Sequence, residues 1–340
     1  MMHQKKKLSY GAIIALMGII LILSLIGSVT LGRYPISFRE LWGILASRIF
    51  NIEPFWSPTQ ESLLLLHRLP RIIMACLVGC CLAAAGTAYQ GVFQNPMAAP
   101  DILGASSGAA FGAALAILLG YGSAIITLFA FVSSIVTVLL VVYIGHRTKG
   151  KRVVGLILAG IMVGSLVSSG TSMIKLVADP EDQLPAITYW LMGSLNGTKP
   201  SDVWFVLIPM LLGLIPLLLL RWRINILTLG DEEARTMGIR AKRLRTVVIL
   251  CATLITAASV SVSGVIGWVG LVIPHLARRL VGNNYQRLLP VAMLLGAIFL
   301  LLVDDVSRNL FATEIPIGIL TSFIGAPFFL YLITKGGERI

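Results

Sequence analysis

The stretch RWRINILTLGDEEARTMGIRAKRLR, Arg221 to Arg245, decides how the chain folds, because it interrupts an otherwise apolar sequence. It carries ten charged residues between two hydrophobic runs. Three acidic residues follow Gly230, as suits the positive N-terminal end of a helix, and Gly238 lies where a C-terminal stop is expected. The pattern predicts a polar helix of about two turns, flanked by arginines that anchor it at a membrane surface. A solvated loop is the alternative.

The composition is that of a polytopic membrane protein. Of the 340 residues, 57% are hydrophobic and 12% are charged, with a mean hydropathy of +0.90. A soluble chain would carry about 25% charged residues. The net charge of +12 does not indicate nucleic-acid binding, because the basic residues are spread over short loops between apolar runs. We therefore expect residues 1–340 to form a single transmembrane domain.

Ten membrane spans are predicted, since a span needs about 20 apolar residues. The pair at 243–263 and 265–281 is short for two crossings, and glycines and Pro274 interrupt it. The ten candidates are 8–31, 62–91, 98–119, 123–145, 152–177, 200–220, 243–263, 265–281, 287–310 and 315–334.

The distribution of basic residues predicts the orientation. With ten crossings and an inner N-terminus, the inner segments hold 19 of the 27 lysines and arginines. This excess follows the positive-inside rule. It places both termini and Arg221–Arg245 in the cytoplasm.

Two Gly- and Pro-rich segments interrupt the apolar pattern at membrane depth, QGVFQNPMAAPDILG (Gln90–Gly104) and SGVIGWVGLVIPH (Ser263–His275). They occupy matching places in spans 2–5 and 7–10, which start from opposite sides and would form an inverted repeat. Interrupted helices in matching positions indicate a transport pathway, although a plain pair of kinked helices is the alternative. Small-residue faces at Gly104–Gly112 and Gly160–Gly164 predict close helix packing.

Basic residues mark the outer side. Arg68 and Arg71 share a helix face, and Arg308 lies beside Asp304 and Asp305. The arginines could receive acidic residues of a docking protein, anchor at the membrane surface or pair with the two aspartates.

Enzyme chemistry is not indicated, and we predict no catalytic residues, no metal site and no cofactor. GASSG at Gly104–Gly108 matches a serine-hydrolase pattern, but it lies in a glycine-rich helix face without a partner His or Asp. There is no phosphate-binding GxxxxGK[ST] loop and no HExxH. An ion-coupled secondary transporter would need ionisable groups deep in the spans, whereas these lie near span ends. An intramembrane enzyme would need a convergent catalytic set.

Five longer motifs stand out in the sequence. They are RLPR at 68–71, GTAYQGVFQNPMAAPDILGASSGA at 86–109, LGDEEARTMGI at 229–239, GVIGWVGLVIPHLARRLVG at 264–282 and EIPIGILTSFIGAPFFLYLI at 314–333. Together they resemble the permeases of ABC importers for iron siderophores, haem and cobalamin. The resemblance implies an all-α type II importer permease with about ten transmembrane helices. It also implies a homodimer in the bacterial plasma (inner) membrane, two P-loop ATPase subunits that supply the energy, and one extracytoplasmic substrate-binding protein.

The resemblance also assigns residue roles. The region 226–240 matches the coupling helix that contacts the ATPase, with Gly230, Asp231, Glu232, Glu233, Ala234, Arg235 and Gly238. Arg68, Arg71 and Arg308 match arginines that face acidic residues of the binding protein. Gln90, Asn95, Pro96 and Met97 match a cytoplasmic gate, and a second gate is expected near Thr148–Gly150. The implied cargo is a metal chelate, with a ferric siderophore ahead of haem and cobalamin; a small oxyanion such as molybdate stays open.

Overall fold

The computed structural model describes residues 9–148 and 152–335, except Arg33 and Pro35. This part of the chain is helical and contains no strand. The α-helices are α1 (Tyr10–Thr30), α2 (Phe38–Ser47), α3 (Pro58–Ser62), α4 (Leu69–Phe93), α5 (Ala105–Leu118), α6 (Ser123–Arg147), α7 (Arg152–Val177), α8 (Gln183–Leu191), α9 (Pro200–Leu227), α10 (Asp231–Thr236), α11 (Ala241–Ser263), α12 (Val269–Val281), α13 (Tyr285–Asn309) and α14 (Ile317–Lys335). A π-helical segment (Leu63–Arg68) precedes α4, and a 3-10 turn (Pro100–Leu103) precedes α5.

The membrane class predicted from the composition and the all-α fold implied by the resemblance are both confirmed. In the described ranges, seven helices are long and apolar enough to cross a membrane: α1, the continuous helix that ends with α4, α6, α7, α9, α11 and α13. Three shorter helices, α5, α12 and α14, fall at the other predicted spans. The 13 residues of α12 extend only about 20 Å, less than the hydrocarbon thickness of about 30 Å, so the number of full crossings is approximate.

The centre of the protein is α4, which packs against α9, α11, α12 and α13. Every residue of α4 from Cys81 to Phe93 is buried, as expected for a helix that has no polar face. A Cβ atom on Gly86 would overlap the carbonyl oxygen of Gly270, and one on Gly79 would overlap that of Gly296. Small residues therefore let the α4 backbone touch the backbones of α12 and α13.

The two halves pack as inverted counterparts. Arg71 at the start of α4 pairs with Asp304 near the end of α13, whereas Arg245 near the start of α11 bonds to Val92 at the end of α4. Hence α4 runs antiparallel to both helices. The contacts α5–α6, α6–α7, α5–α7, α4–α13 and α4–α12 have the counterparts α12–α13, α13–α14, α12–α14, α11–α6 and α11–α5.

These contacts define the two ends of the bundle. We call the end that holds Arg68, Arg71 and Arg308 the arginine end. The opposite end, where α4 and α9 finish and α11 and α13 begin, is called the α10 end.

The predicted glycine faces serve helix packing. A Cβ atom on Gly108 would lie 2.5 Å from Thr137 Oγ1 of α6, and one on Gly112 would overlap the backbone of Phe129. Gly160 of α7 meets the carbonyl oxygen of Ile102 in the same way. The GASSG sequence therefore belongs to a helix contact.

The short helices α2 and α3 lie at the arginine end, between α1 and the π-helical segment. Ser37 Oγ accepts a hydrogen bond from Glu40 N (3.3 Å), and Glu40 Oε2 accepts one from Ser37 N (2.7 Å), which forms a capping box at the start of α2. Gln60 donates to the other Glu40 oxygen at 3.0 Å. The hydrogen bonds from Ser37 and Gln60 hold the pKa of the Glu40 carboxyl below its ordinary value. Trp42 of α2 is 60% exposed.

Candidate functional site

The polar helix predicted in Arg221–Arg245 is α10. It follows Gly230, whose φ of 130° suits glycine, and three acidic residues occupy its first turn. Gly238, with φ 75°, ends it: Gly238 N donates to Arg235 O, and Ile239 N donates to Ala234 O, both at 2.9 Å. Glu232 and Arg235 point into solvent, whereas Ala234 is buried. The helix prediction is therefore confirmed over the loop alternative.

Arg245 joins α10 to the end of α4, which the sequence did not predict. Its guanidinium pairs with Asp231 at 2.8 and 3.2 Å, and its Nε donates to Val92 O at 3.3 Å. The residue is only 4% exposed. The prediction that all flanking arginines anchor at the membrane surface is wrong for Arg245.

The predicted gate segment follows directly after the C-terminal end of α4, at the α10 end. Gln94 ends the helix in the left-handed region (φ 50°), and Asn95 Oδ1 then accepts a hydrogen bond from Met97 N (2.9 Å). Pro96 is exposed, and Met97 is 50% exposed. Gln90 lies higher in α4, is buried, and directs its Nε2 at Gly270 O (3.5 Å).

Gln94 links the gate segment to the chain that leads into α10. Its Nε2 donates to Leu227 O, the last residue of α9, at 2.7 Å. Both Gln94 and Arg245 therefore connect the end of α4 with the surroundings of α10. The sequence could have indicated Gln94, because it lies within the QGVFQNPM segment. It could not have indicated Arg245, because the burial of this residue depends on tertiary packing.

The second predicted gate is described only at Thr148. Its hydroxyl donates to Ile144 O at 3.2 Å, and its side chain packs against Gly155 of α7. Lys149 and Gly150 lie outside the described residues. Within the described part of the chain, Thr148 makes no hydrogen bond to Gln90, Asn95, Pro96 or Met97.

The second interrupted segment is bonded through its backbone to the residues after α8, which in turn are bonded to the start of α14. Gly264 (φ 65°) ends α11, and Trp268 (φ 69°) precedes α12. Ser194 N donates to Ser263 O at 2.8 Å, and Ile317 N donates to Gly193 O at 2.8 Å. The first of these bonds satisfies a carbonyl group at the end of α11, where the backbone becomes irregular.

An apolar cavity of about 660 Å³ lies beside this second break. It is bounded by the break itself, the end of α8 and one face of α14. Val265, Gly267, Ser322 and Phe323 are among its lining residues. Irregular backbone beside a cavity is the arrangement typical of transport pathways.

The three predicted docking arginines lie at one end, and each has partners within the chain. Arg68 is 6% exposed and donates to Val29 O (2.9 Å) and Tyr34 O. Arg71 pairs with Asp304 at 2.9 Å and with Glu314 at 3.0 Å. Within the protomer, Arg71 therefore pairs with acidic residues, which is one of the alternatives that the sequence left open.

Arg308 completes this cluster. Its Nη2 bonds to Asp305 and to both oxygens of Ser28, at 2.8 Å for Ser28 O and 2.6 Å for Ser28 Oγ. Its Nε lies 3.7 Å from Asp304 Oδ2. Asp304 therefore stands between Arg71 and Arg308, and its side chain has no exposed surface. The network ties α1, α4 and α13 together.

No group of three or more His, Cys, Asp or Glu side chains within the described ranges is placed to hold a metal ion. The four cysteines are free and lie in α4 and α11.

The model of the FecCD transport family matches residues 19–335. The chain belongs to the FecCD transport family. The molybdate import system permease protein MolB of Haemophilus influenzae is 39% identical over 97% of this chain and 98% of its own length. The hemin transport system permease protein HmuU of Yersinia pestis is 35% identical over 94% of this chain and 95% of its own.

A solved structure supports the same assignment. An inward-facing ABC transporter of metal-chelate type is 38% identical, with a TM-score of 0.86 over 96% of this chain and 99% of the other. This FecCD-family chain is thus a multi-pass membrane permease of the ABC transporter class and not an enzyme.

Proposed function

We propose that this FecCD-family chain is the permease subunit of a binding-protein-dependent ABC importer for a metal chelate. Two copies form the translocation pathway, two P-loop ATPase subunits bind at the α10 end, and one extracytoplasmic binding protein docks at the arginine end. The α10 end faces the cytoplasm of a bacterial inner membrane. The proposal rests on the two helix breaks, which lie in matching places of the inverted halves. Arg245 connects α10 to the end of α4, where the first of these breaks begins.

The proposed cargo is a ferric siderophore, with haem and cobalamin as the next candidates. The curated relatives include permeases named for iron chelatin, hemin, cobalamin and Fe(3+)-citrate. A bulky chelate also suits a pathway whose described cavity, about 660 Å³, is mainly apolar.

Molybdate is the second candidate, because a molybdate permease is 39% identical over nearly the whole chain. The experiment that separates them uses the permease reconstituted in liposomes with its ATPase and binding protein. Uptake of a radiolabelled ferric siderophore is compared with uptake of labelled molybdate. ATP-dependent siderophore uptake supports the proposal, and uptake of molybdate alone overturns the chelate assignment.

We propose that α10 is the coupling helix that contacts the ATPase. Gly230, Asp231, Glu233 and Gly238 shape the helix ends, while Glu232 and Arg235 present charged side chains to the partner. The buried Ala234 seats the helix on the permease.

A double substitution, Glu232→Ala with Arg235→Ala, tests this surface. Both side chains are exposed, so the fold should stay intact while ATPase co-purification falls about tenfold or more. A matched control removes Glu181 and Lys199, which are exposed at the arginine end. Equal ATPase recovery from the double variant and the control would refute coupling through α10.

For the arginine end, we propose that a carboxylate of the binding protein competes with Glu314 for Arg71. The Arg71 side chain retains 11% exposure, and Glu314, at 25%, is the most accessible carboxylate of its network. Arg68 and Arg308 hold the surface in place through α1.

The Glu314→Gln variant releases one side of Arg71 and keeps the cation. We expect several-fold tighter binding of the binding protein, measured by surface plasmon resonance, whereas Arg71→Gln should weaken it. If both variants fold and bind with unchanged affinity, Arg71 is not part of the docking surface.

We propose that the cytoplasmic gate includes Gln90, Asn95, Pro96 and Met97, with Thr148 in a second gate. The exposed Pro96 and Met97 lie at the α10 end, and Gln94 ties this segment to α9. Cross-linking of a Met97→Cys pair across the dimer should block uptake and be reversed by reduction. Uptake that continues after complete cross-linking would exclude Met97 from the gate.

A further inference from the structure

A basic groove at the α10 end is separate from the residues of the proposed pathway. It encloses about 620 Å³ between the end of α9, the residues after α10 and the start of α11. Arginine side chains form one part of its lining, and apolar side chains including Leu220 and Val247 form another.

Three arginines give the groove its charge. Arg223, Arg240 and Arg243 are exposed, and none of them has an ion-pair partner in the part of the chain that the structure describes. No carboxylate is among the lining residues. The groove therefore concentrates positive charge that the protomer does not neutralise, in contrast with the nearby Arg245, which pairs with Asp231.

The opposite wall of the groove is apolar and continues onto the exposed apolar faces of α9 and α11. Leu220 is the last residue of the apolar run of α9, and Val247 begins that of α11. Beyond them lie Leu219, 77% exposed, and Leu250, 39% exposed. Trp222, 53% exposed, stands at the boundary, where tryptophan is enriched in membrane proteins.

We propose that this groove binds the headgroup of an anionic phospholipid. The lipid phosphate lies among Arg223, Arg240 and Arg243, while its acyl chains follow the exposed apolar faces of α9 and α11. An acidic surface of a soluble protein would match the arginines but would leave the leucines of these faces against a polar surface. A lipid matches both parts, because it carries a phosphate and hydrocarbon chains in one molecule.

The bound lipid would stabilise the orientation of α10, since Met237 and Gly238 line the groove. This consequence rests on the proposed role of α10, whereas lipid binding itself depends only on the membrane placement of the chain. A transport assay is therefore not needed to test the site.

The test is native mass spectrometry of the full-length permease, purified and titrated with either phosphatidylglycerol or phosphatidylcholine of identical acyl chains. The wild type should retain phosphatidylglycerol preferentially. The variant R223Q/R240Q/R243Q should lose this preference by about tenfold or more, since it removes the three cations that attract the lipid phosphate.

The control R147Q/R279Q/R287Q removes the same charge from the same end, outside the groove, and should retain the wild-type preference. Equal lipid retention by both triple variants would overturn the site. Unchanged lipid retention together with lost ATPase co-purification from R223Q/R240Q/R243Q would also overturn it, because the groove would then contact a protein.

Discussion

The two ends of the bundle use arginine in opposite ways. At the arginine end, Arg68, Arg71 and Arg308 are largely buried and bond to the carbonyl, hydroxyl or carboxylate oxygens of neighbouring segments. At the α10 end, Arg223 and Arg240 are exposed and have no ion-pair partner among the described residues. Arg245 is the exception, because it is buried and paired with Asp231.

This difference follows from the cost of removing charge from water. A buried guanidinium must be paired, so the arginine end contributes its charges to the fold. An exposed guanidinium costs little and remains available to a lipid or protein. The charge of an arginine alone therefore does not show which of these roles it has.

The largest effect is expected when the buried network loses its central carboxylate. Asp304→Asn leaves Arg71 and Arg308 without their shared charge partner, and removing one member of a buried pair typically costs about 3–5 kcal/mol. We expect a clear loss of thermal stability in detergent, measured by tryptophan fluorescence or size-exclusion chromatography after heating. Glu314→Gln, at a more exposed position, is the control and should cost about 1 kcal/mol or less.

A stability loss of equal size in both variants would show that the buried Asp304 contributes no more to stability than the more exposed Glu314. Burial would then not explain the stabilising role of Asp304, the carboxylate that pairs with both Arg71 and Arg308.

An intermediate effect is expected at the buried arginine of the α10 end. Arg245→Gln removes its pairing with Asp231 and its bond to Val92, with an expected cost of about 2 kcal/mol. The matched control Arg279→Gln changes an exposed arginine at the same end and should stay within about 0.5 kcal/mol. Thermal unfolding of both purified proteins measures the difference.

Arg245→Gln should also separate ATP hydrolysis from transport in the reconstituted importer, because α10 loses its link to α4. Hydrolysis and uptake that fall in proportion would instead indicate a general folding defect.

The smallest effect concerns the exposed capping box at the arginine end. The pKa of Glu40 is lowered in the folded protein, so its contribution to stability is present above the ordinary carboxyl pKa and is lost as the pH falls through the lowered value. Glu40→Gln keeps a hydrogen-bond acceptor and removes the titration. The difference in melting temperature between pH 6 and pH 3 should be slightly smaller for the variant than for the wild type.

An identical pH dependence in the wild type and in Glu40→Gln would contradict the role of this carboxyl. The Glu53→Gln variant, in an exposed loop nearby, serves as the control for a carboxyl without the capping box.

Several elements could be predicted because their signals are local. Gly230, the acidic first turn and Gly238 specified α10 through cap chemistry and backbone conformation. The Gly- and Pro-rich segments after Gln90 and Ser263 correctly predicted two helix breaks, although the positive φ angles lie at Gln94 and Trp268 as well as at Gly264. The burial of Arg245 and the pairing of Arg71 were not predictable with the same certainty, because their partners lie 14 and 233 residues away.

The sequence by itself determined the membrane class, the approximate number of spans, the place of α10 and the family resemblance. These depend on hydropathy, charge and short motifs, which act over a few residues. Only the tertiary structure decided which charged side chains pair within the protomer and which are exposed at its surface. That division depends on helix packing, since backbone contacts such as Gly86 against Gly270 set which side chains lose their water.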